Sequence, residues 1–429
     1  MLDFQVKPAK ILLDNKKVRG AAVYIKRQIE GSIDKAAKMF GAVMLTGPRQ
    51  AGKTTLLKTI VEGIPYLSLD DPILLQSAVE QAGTFFKSTQ PPVIIDEIQY
   101  APNLFPYIKM YLDEGKKKGQ FYLSGSQQFR MMKNVSESLA GRIGILNLLG
   151  LSMREIYNIS FSNPFAPTTE YLSERRKEIK NIGYQEVWGT IHRGSMPEMY
   201  ANRDFDWQLF YGSYTKTYIE RDVRELTQIG DELKFLRFMA VIAASTGQVV
   251  NLASVSREVG ISQSTTERWL SILQSANIVY LLPPYFNNIT KRAIKKPKLY
   301  FMDTGLAAYL TRWNNAEVLE KGAMAGAFFE TFIVAEIIKS YYNAGILEPP
   351  LYYYRDKEHN EIDLLIADGN TFYPIEIKKH SDPSKHDTAS FRLLEKIPGI
   401  NRGPGAVVCL YDRLIPLDAE NMIIPVNYL

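Results

Sequence analysis

An α/β fold, with a parallel sheet early in the chain and a second α/β unit at its end, is what this 429-residue sequence predicts. Three observations predict it. The apolar run Ala42–Leu45 leads into the glycine-rich stretch Gly47–Thr54 and then the helix-like Thr55–Lys58. A second apolar run, residues 92–95, ends in Asp96-Glu97. Late in the chain, two alternating segments flank Asp368-Gly369-Asn370 as the arms of a hairpin do.

The length exceeds what one hydrophobic core supports and implies about two to four domains. An apolar fraction of 46% and a charged fraction of 23% place the chain among ordinary globular proteins, not disordered or fibrous ones. The single cysteine, Cys409, excludes an intramolecular disulfide and any multi-cysteine metal site. It fits a reducing compartment, so a cytoplasmic location is expected. The first residues lack the apolar core of a secretory signal, and no stretch reaches the ~18 apolar residues of a membrane span, so no membrane association is expected. The net charge of +5 is too small for this length to indicate a nucleic-acid partner by itself.

Strand, glycine loop and helix in that order form the context in which a loop cradles phosphates. Gly47, Pro48, Arg49, Gln50, Ala51, Gly52, Lys53, Thr54 and Thr55 are therefore the candidate nucleotide-binding residues. The glycines let backbone N–H groups turn toward phosphate, and the helix N-terminus adds partial positive charge. Lys53 is expected to reach the β- and γ-phosphates of ATP, and Thr54 to bind Mg²⁺. A buried parallel strand delivers carboxylates at its C-terminal edge, where ligands bind in such sheets. Asp96 is thus expected to hold Mg²⁺ through water, and Glu97 to polarise the attacking water as general base. A third strand, Phe121–Gly125, ends at Ser126-Gln127, either a γ-phosphate sensor or ordinary turn chemistry. Arg142 precedes the apolar run Ile143–Leu151. It either contacts phosphate, in its own or a neighbouring subunit, or is a solvated turn arginine.

The segments LTGPRQAGKTTLL, VIIDEIQYAPNLF, FYLSGSQQF and SLAGRIGIL together resemble the AAA-type ATPases of bacteria and archaea that carry a C-terminal domain of unknown function. The resemblance continues through IHRGSMPEMY and YIERDVREL into the last third. It implies ATP and Mg²⁺ as ligands, ATP hydrolysis as the activity, and a homo-oligomeric ring among the partners.

Residues 154–230 read as mostly helical. Arg221 and Arg224, three apart, share a helix face; they bridge domains, reach a nucleotide in trans, or form a salt-bridged surface. Residues 232–290 read as a helix-turn-helix with a wing. One helix covers 252–259, Gly260 makes the turn, and Ser262 caps a second helix, Gln263–Gln274. Trp269, Leu270 and Leu273 are expected inside, and Thr265, Thr266 and Arg268 on the outer face. Lys291, Arg292, Lys295, Lys296 and Lys298 follow, five cations in eight residues. They form either a solvated loop or a phosphate grip, so residues 262–298 and the C-terminal unit are the candidate DNA contacts.

The hairpin arms carry Glu361, Asp363, Glu376 and Lys378. A two-residue turn at Asp368-Gly369 sets Glu361 opposite Glu376; one at Gly369-Asn370 sets Asp363 opposite Glu376 and Glu361 opposite Lys378. Either register puts Asp363, Glu376 and Lys378 on one face, where a shared metal or the lysine would offset the repulsion of the acids. The Asp…Glu-X-Lys arrangement resembles the restriction-endonuclease-like, PD-(D/E)XK, superfamily. Glu330, within the apolar stretch 326–335, matches the helix acid of that superfamily. Ile362 stands where the motif has proline. The resemblance implies Asp363, Glu376 and Glu330 as metal ligands and Lys378 as catalytic cation, with DNA cleavage or non-cleaving binding of DNA or protein as the outcome.

The expected architecture is a P-loop ATPase unit over residues 1–160, a helical connector over 161–231, a winged helix over 232–295, and a nuclease-like α/β domain over 296–429.

Overall fold

The computed structural model describes residues 24–125, 138–202, 205–218, 232–286 and 296–429. The expectations attached to Ser126, Arg221, Arg224, Lys291, Arg292 and Lys295 lie outside the described residues.

Five strands form the first sheet: β1 (Ala42–Thr46), β2 (Tyr66–Ser68), β3 (Val93–Asp96), β4 (Phe121–Gly125) and β5 (Ile143–Asn147). Their order is β2-β3-β4-β1-β5, and every pairing is parallel. Both faces are covered, which is why the strands read as continuous apolar runs rather than alternating ones. Val43, Leu45 and Ile94 pack under α1 (Glu30–Met39) and α2 (Lys53–Ile60). Met44, Ile95 and Leu123 pack on the opposite face under α3 (Phe105–Gly115). With all strands running one way, Thr46, Asp96 and Asn147 end at one edge of the sheet.

A helical segment follows, including α4 (Met153–Ile156), α5 (Tyr184–Arg193), α6 (Trp207–Tyr218) and α7 (Glu232–Ala244). Next come β6 (Gln248–Val249), α8 (Leu252–Val259) and α9 (Gln263–Ser275). Gly260 joins the two helices with a left-handed φ of 75°, and the Ser262 hydroxyl caps α9 by accepting from the Thr265 N–H at 3.1 Å. Trp269, Leu270 and Leu273 are buried as expected. Thr266 is not on the outer face: it is buried, and its hydroxyl donates to the Ser262 carbonyl while meeting the Ser256 hydroxyl.

Strands β7 (Val279–Leu282) and β8 (Lys298–Phe301) complete a three-stranded antiparallel sheet in the order β6-β8-β7. Its middle strand therefore comes from beyond residue 295. The helices after it, α10 (Thr304–Leu310) and α11 (Ala316–Lys321), pack on α5. The pairing of β8 ties residues 298–301 to β6 and β7, across the expected boundary at 295/296, and α12 (Ala325–Asn343) follows these helices.

The last unit is α12 against a seven-stranded mixed sheet. Its strands are β9 (Leu351–Arg355), β10 (Glu361–Asp368), β11 (Thr371–Lys378), β12 (Asn401–Arg402), β13 (Gly405–Cys409), β14 (Ile415–Pro416) and β15 (Asn421–Pro425). The order is β14-β15-β13-β11-β10-β9, with β12 beside β11. The β10/β11 hairpin pairs Leu364 with Ile375 and Asp368 with Thr371, which selects the turn at Gly369-Asn370. Positive φ falls on Gly369, at 57°, as a type II′ turn requires at its first central residue. Leu364, Ile366, Ile375 and Ile377 share one apolar cluster with Phe328, Phe329 and Ile333 of α12 and Trp188 of α5. No helix among the described residues is long and apolar enough to cross a membrane.

Trp188 is buried, with its ring 6.2 Å from that of Phe329. Trp188→Ala should cost about 3–5 kcal/mol in urea unfolding, through the cavity left at this joint.

Candidate nucleotide site and C-terminal acid cluster

The phosphate loop is shaped by positions where side chains do not fit. Gly47 has φ 144°, and a Cβ there would stand 1.9 Å from the Leu148 carbonyl oxygen. Gly52, at φ 90°, turns the chain into α2. Lys53 is buried, and its ammonium donates to the Gly47 and Pro48 carbonyls at 2.9 and 2.8 Å. Ala51 is buried beneath the loop, whereas Gln50 and Thr55 face solvent.

Asp96 is the hub of the sheet edge. Its Oδ2 accepts from the Thr54 hydroxyl at 2.7 Å and the Tyr66 hydroxyl at 2.8 Å. Its Oδ1 accepts from the Ser124 hydroxyl and, at 3.2 Å, the Glu97 N–H. Burial, then the hydrogen bond to Asp96, pushes Tyr66 up to about 12, so it remains a donor. Glu97 takes a left-handed conformation (φ 56°), and the Gln99 amide donates to its carboxylate. Thr54, Asp96, Glu97 and Lys53 are thus brought together. A hydroxyl meeting a buried carboxylate beside a phosphate loop is a donor set suited to Mg²⁺.

Arg142 is not brought there. It precedes β5, whose first residue pairs with Ala42 at the start of β1, so it lies at the edge opposite the loop. Asp113 on α3 takes its guanidinium at 2.5 and 3.1 Å. A phosphate contact by Arg142 would have to reach the nucleotide of another copy.

Tyr66, Ser124 and Gln99 support the site without any signal in the local sequence. The pairing of Ser68 with Asp96 and of Val93 with Phe121 places the first two beside the acid strand, a juxtaposition visible only once strand order is known. Arg27 had no signal at all. It is buried and donates to the Ala51 carbonyl at 2.7 Å, the Leu149 carbonyl at 2.8 Å and Glu155 Oε1 at 2.9 Å. Pro197 approaches too: a Cβ on Gly52 would stand 3.8 Å from its ring and 3.8 Å from Arg27 Nη1.

In the last third of the chain, Glu330, Glu361 and Asp363 surround Lys298, not a common space. Lys298 Nζ lies 2.8 Å from Glu330, 2.6 Å from Glu361 and 3.7 Å from Asp363. Tyr300 donates to Glu330 at 2.6 Å. As a member of the basic run, Lys298 reads as part of a solvated loop or a phosphate grip; its side chain is instead 4% exposed, because β8 carries it inward. Burial works against its charge, but Tyr300 and the three acids outweigh that and hold the ammonium well above its ordinary range. The hairpin register sets Asp363 across from Glu376, and Asp363 Oδ2 accepts from the Ile377 N–H at 2.9 Å. Lys378 donates to Glu376 Oε1 at 2.6 Å, while Glu376 Oε2 is buried with no hydrogen-bond partner among the described residues. Burial, then Asp363, raises the carboxyls of Glu330 and Glu376 above the usual carboxylate range. Among the described residues, no group of three or more His, Cys, Asp or Glu side chains is arranged to hold a metal ion. The expected triad of Asp363, Glu376 and Glu330 is therefore not arranged as a metal site: Glu330 pairs with Lys298 and Tyr300 instead, and Glu376 with Lys378.

An all-parallel sheet with a glycine loop after β1 and an acid after β3 defines a P-loop nucleotide-binding domain. Residues 40–157 match a family model described as "AAA domain", and an AAA-type P-loop ATPase is the class that the site and this match support. Two further models, both described as domains of unknown function, match residues 184–317 and 325–429; the break between them falls just before α12. Relatives along most of the chain include the uncharacterized proteins Rv2008c of Mycobacterium tuberculosis and Mb2031c of Mycobacterium bovis. Each is 28% identical over 418 residues, covering 93% of this chain and 84% of its own. Among solved structures, the Walker-type ATPase paby2304 of Pyrococcus abyssi aligns over 70% of this chain and 99% of its own, at 13% identity and a TM-score of 0.44. The Thermotoga maritima RuvB Holliday junction branch migration motor aligns over 59% and 89%, at 17% identity and a TM-score of 0.29. Neither superposition is close enough to carry an argument.

Arg27→Ala should cost about 3–5 kcal/mol in chemical denaturation, because Glu155 is left buried without its cation. Nucleotide affinity should fall with it, and adding Glu155→Gln should recover part of the stability but not the affinity.

Proposed function

We propose that the protein hydrolyses ATP at the β1–α2 loop and uses the nucleotide state to control its C-terminal module. The observation that carries the first part is the convergence of Thr54, Asp96 and Glu97 beside Lys53. Lys53 would leave the loop carbonyls for the β- and γ-phosphates. Thr54 and Asp96 would hold Mg²⁺, which supplies charge neutralisation at the phosphate oxygens when bound. Glu97, oriented by Gln99, would accept the proton of the attacking water. Ser126, just beyond β4, is retained as a γ-phosphate sensor on its sequence position alone.

Support for the second part is a buried link. Glu336 of α12 accepts from the Met153 N–H at 2.7 Å, and Lys339 donates to the Leu151 carbonyl at 2.9 Å. Leu149–Ser152 lies between these groups and Arg27, which reaches the loop. A shift of the loop would therefore be felt by α12, the helix on which the C-terminal sheet packs.

For the module itself we favour binding without cleavage, because Lys298 occupies the centre of the acids. Helices α8 and α9 with strands β6–β8 have the makings of a winged helix, and the cations before β8 are our candidate DNA contacts. Metal-dependent DNA cleavage, with Asp363 and Glu376 as ligands and Lys378 as the charge-stabilising group, is the competing reading; the hairpin register favours it. Lys378→Ala separates the two, since it should abolish Mg²⁺-dependent nicking if nicking occurs at all.

Lys53→Ala should abolish nucleotide binding in a fluorescent-ATP titration; tight MgATP binding by that variant would falsify the assignment. Glu97→Gln should bind ATP normally but turn it over about 100-fold or more slower. Replacing Lys291, Arg292, Lys295 and Lys296 by Ala should reduce the slope of log affinity for DNA against log salt by about 0.9 for each phosphate no longer neutralised. An unchanged slope would remove DNA from the proposal.

A further inference from the structure

Arg154 on α4 and Arg175, at the end of the helix Thr169–Arg175, are 2% and 1% exposed. Arginine keeps its charge in a protein interior, and a buried charge is costly without one of opposite sign. Among the described residues, neither guanidinium pairs with an Asp or Glu side chain. Arg154 donates to the main-chain oxygens of Phe161 and Asn163 at 3.2 and 2.7 Å, and Arg175 to those of Glu178 and Asn427 at 2.9 and 2.7 Å. All of these acceptors are neutral. Both arginines also reach Leu429, and there we propose a carboxylate-binding site, in which Arg154 and Arg175 clamp one carboxylate between them. This site depends on neither the ATPase reading nor the DNA reading.

Three features support the assignment. First, no neighbouring side chain supplies the charge. The Tyr171 hydroxyl accepts from Arg154 at 2.7 Å, but burial outweighs the two arginines and pushes the phenol up. It therefore stays neutral and donates to the Tyr428 carbonyl at 2.8 Å. Glu178, an exposed residue, gives Arg175 its carbonyl, not its carboxylate. Burial pulls the Arg175 guanidinium below its ordinary range, and Arg154 beside it works the same way. Second, the two cations converge. Arg154 Nε and Arg175 Nη2 donate to the same Leu429 oxygen, at 3.1 and 3.5 Å, and both guanidiniums lie over the Phe161 ring. Arg175 Nε is buried with no hydrogen-bond partner among the described residues, so a donor remains for a second oxygen. Guanidinium groups suit such two-oxygen acceptors. Third, the point is enclosed. Leu429 is 4% exposed, its N–H donates to the Val426 carbonyl at 3.1 Å, and it shares an apolar cluster with Phe165 and Tyr171. Two sources offer the required chemistry: the α-carboxylate of a chain that ends at Leu429, and a small carboxylate from solution beside a chain that runs on. Either would fasten the segment after β15 to α4, one residue from the Glu155 that pairs with Arg27.

Urea unfolding of the full chain tests the proposal. Two 429-residue chains are compared, one ending in the α-carboxylate of Leu429 and one in its carboxamide, each in sodium acetate and in sodium chloride at equal ionic strength. With a main-chain carboxylate in the site, the carboxamide chain has the lower midpoint, and Arg175→Met shrinks the gap. With a carboxylate from solution, the two midpoints agree, acetate raises both above chloride, and Arg175→Met removes that rise. Equal midpoints with no response to acetate overturn the proposal, as does a gap that Arg175→Met leaves unchanged. An acetate response that never saturates is a general salt effect and overturns it too. Should Arg175→Met fail to fold, the gap is measured in about 1 M sodium chloride, where a buried pair is little screened. A gap that vanishes there overturns the proposal equally.

Discussion

The buried ion pair between Arg27 and Glu155 fixes the junction around which this architecture is organised. Taking both charges out of water is costly, and the pair is tolerable only because nearly every remaining donor and acceptor is used. Arg27 also holds the carbonyls of Ala51 and Leu149, and Glu155 also holds the N–H groups of Gln28 and Ser152. One ion pair thus ties the phosphate loop, the exit of β5 and the start of the helical segment into a single unit. Loss of either partner would strand a charge at the point where the first sheet meets everything after it.

From that point a second buried pair, Glu336 with Lys339, carries the connection onto α12. Both pairs grip the backbone of residues 149–153 from opposite sides. The helix they reach is buried over almost its whole length, because the C-terminal sheet covers one side and the helical segment another. Such a helix cannot turn or slide without disturbing both neighbours, since packed interiors deform poorly. Contacts therefore run without a break from the phosphate loop to the helix under the last sheet.

The acid cluster follows different rules. There the energetics is that of charge compensation, and the compensating group is supplied by a strand of a different sheet. Asp363 and Glu376 are recognisable from the alternation of the hairpin, and the turn at Gly369-Asn370 sets them opposite each other, as one of the two registers requires. Lys298 is legible in the sequence only as one more member of a basic run. Its burial depends on β8 pairing with β6 and β7, which sequence separation hides. Thr266 illustrates the same limit: its place in α9 is legible, but its face is set by a hydroxyl contact with Ser256 on the neighbouring helix.

Unlike the three-residue β2, the phosphate loop, the acid strand, β4, β5 and the hairpin are written in the sequence. Each is a local pattern, in which glycine positions, apolar runs and alternation follow directly from backbone sterics and burial. Tertiary structure alone decided which strand lies beside the acid strand, which sheet β8 joins, what Arg27 holds, and which cation sits among the acids. Those outcomes depend on groups tens to hundreds of residues apart finding partners inside a low-dielectric interior. There an unpaired charge is too costly to leave, and the partner is whichever group the fold brings within reach.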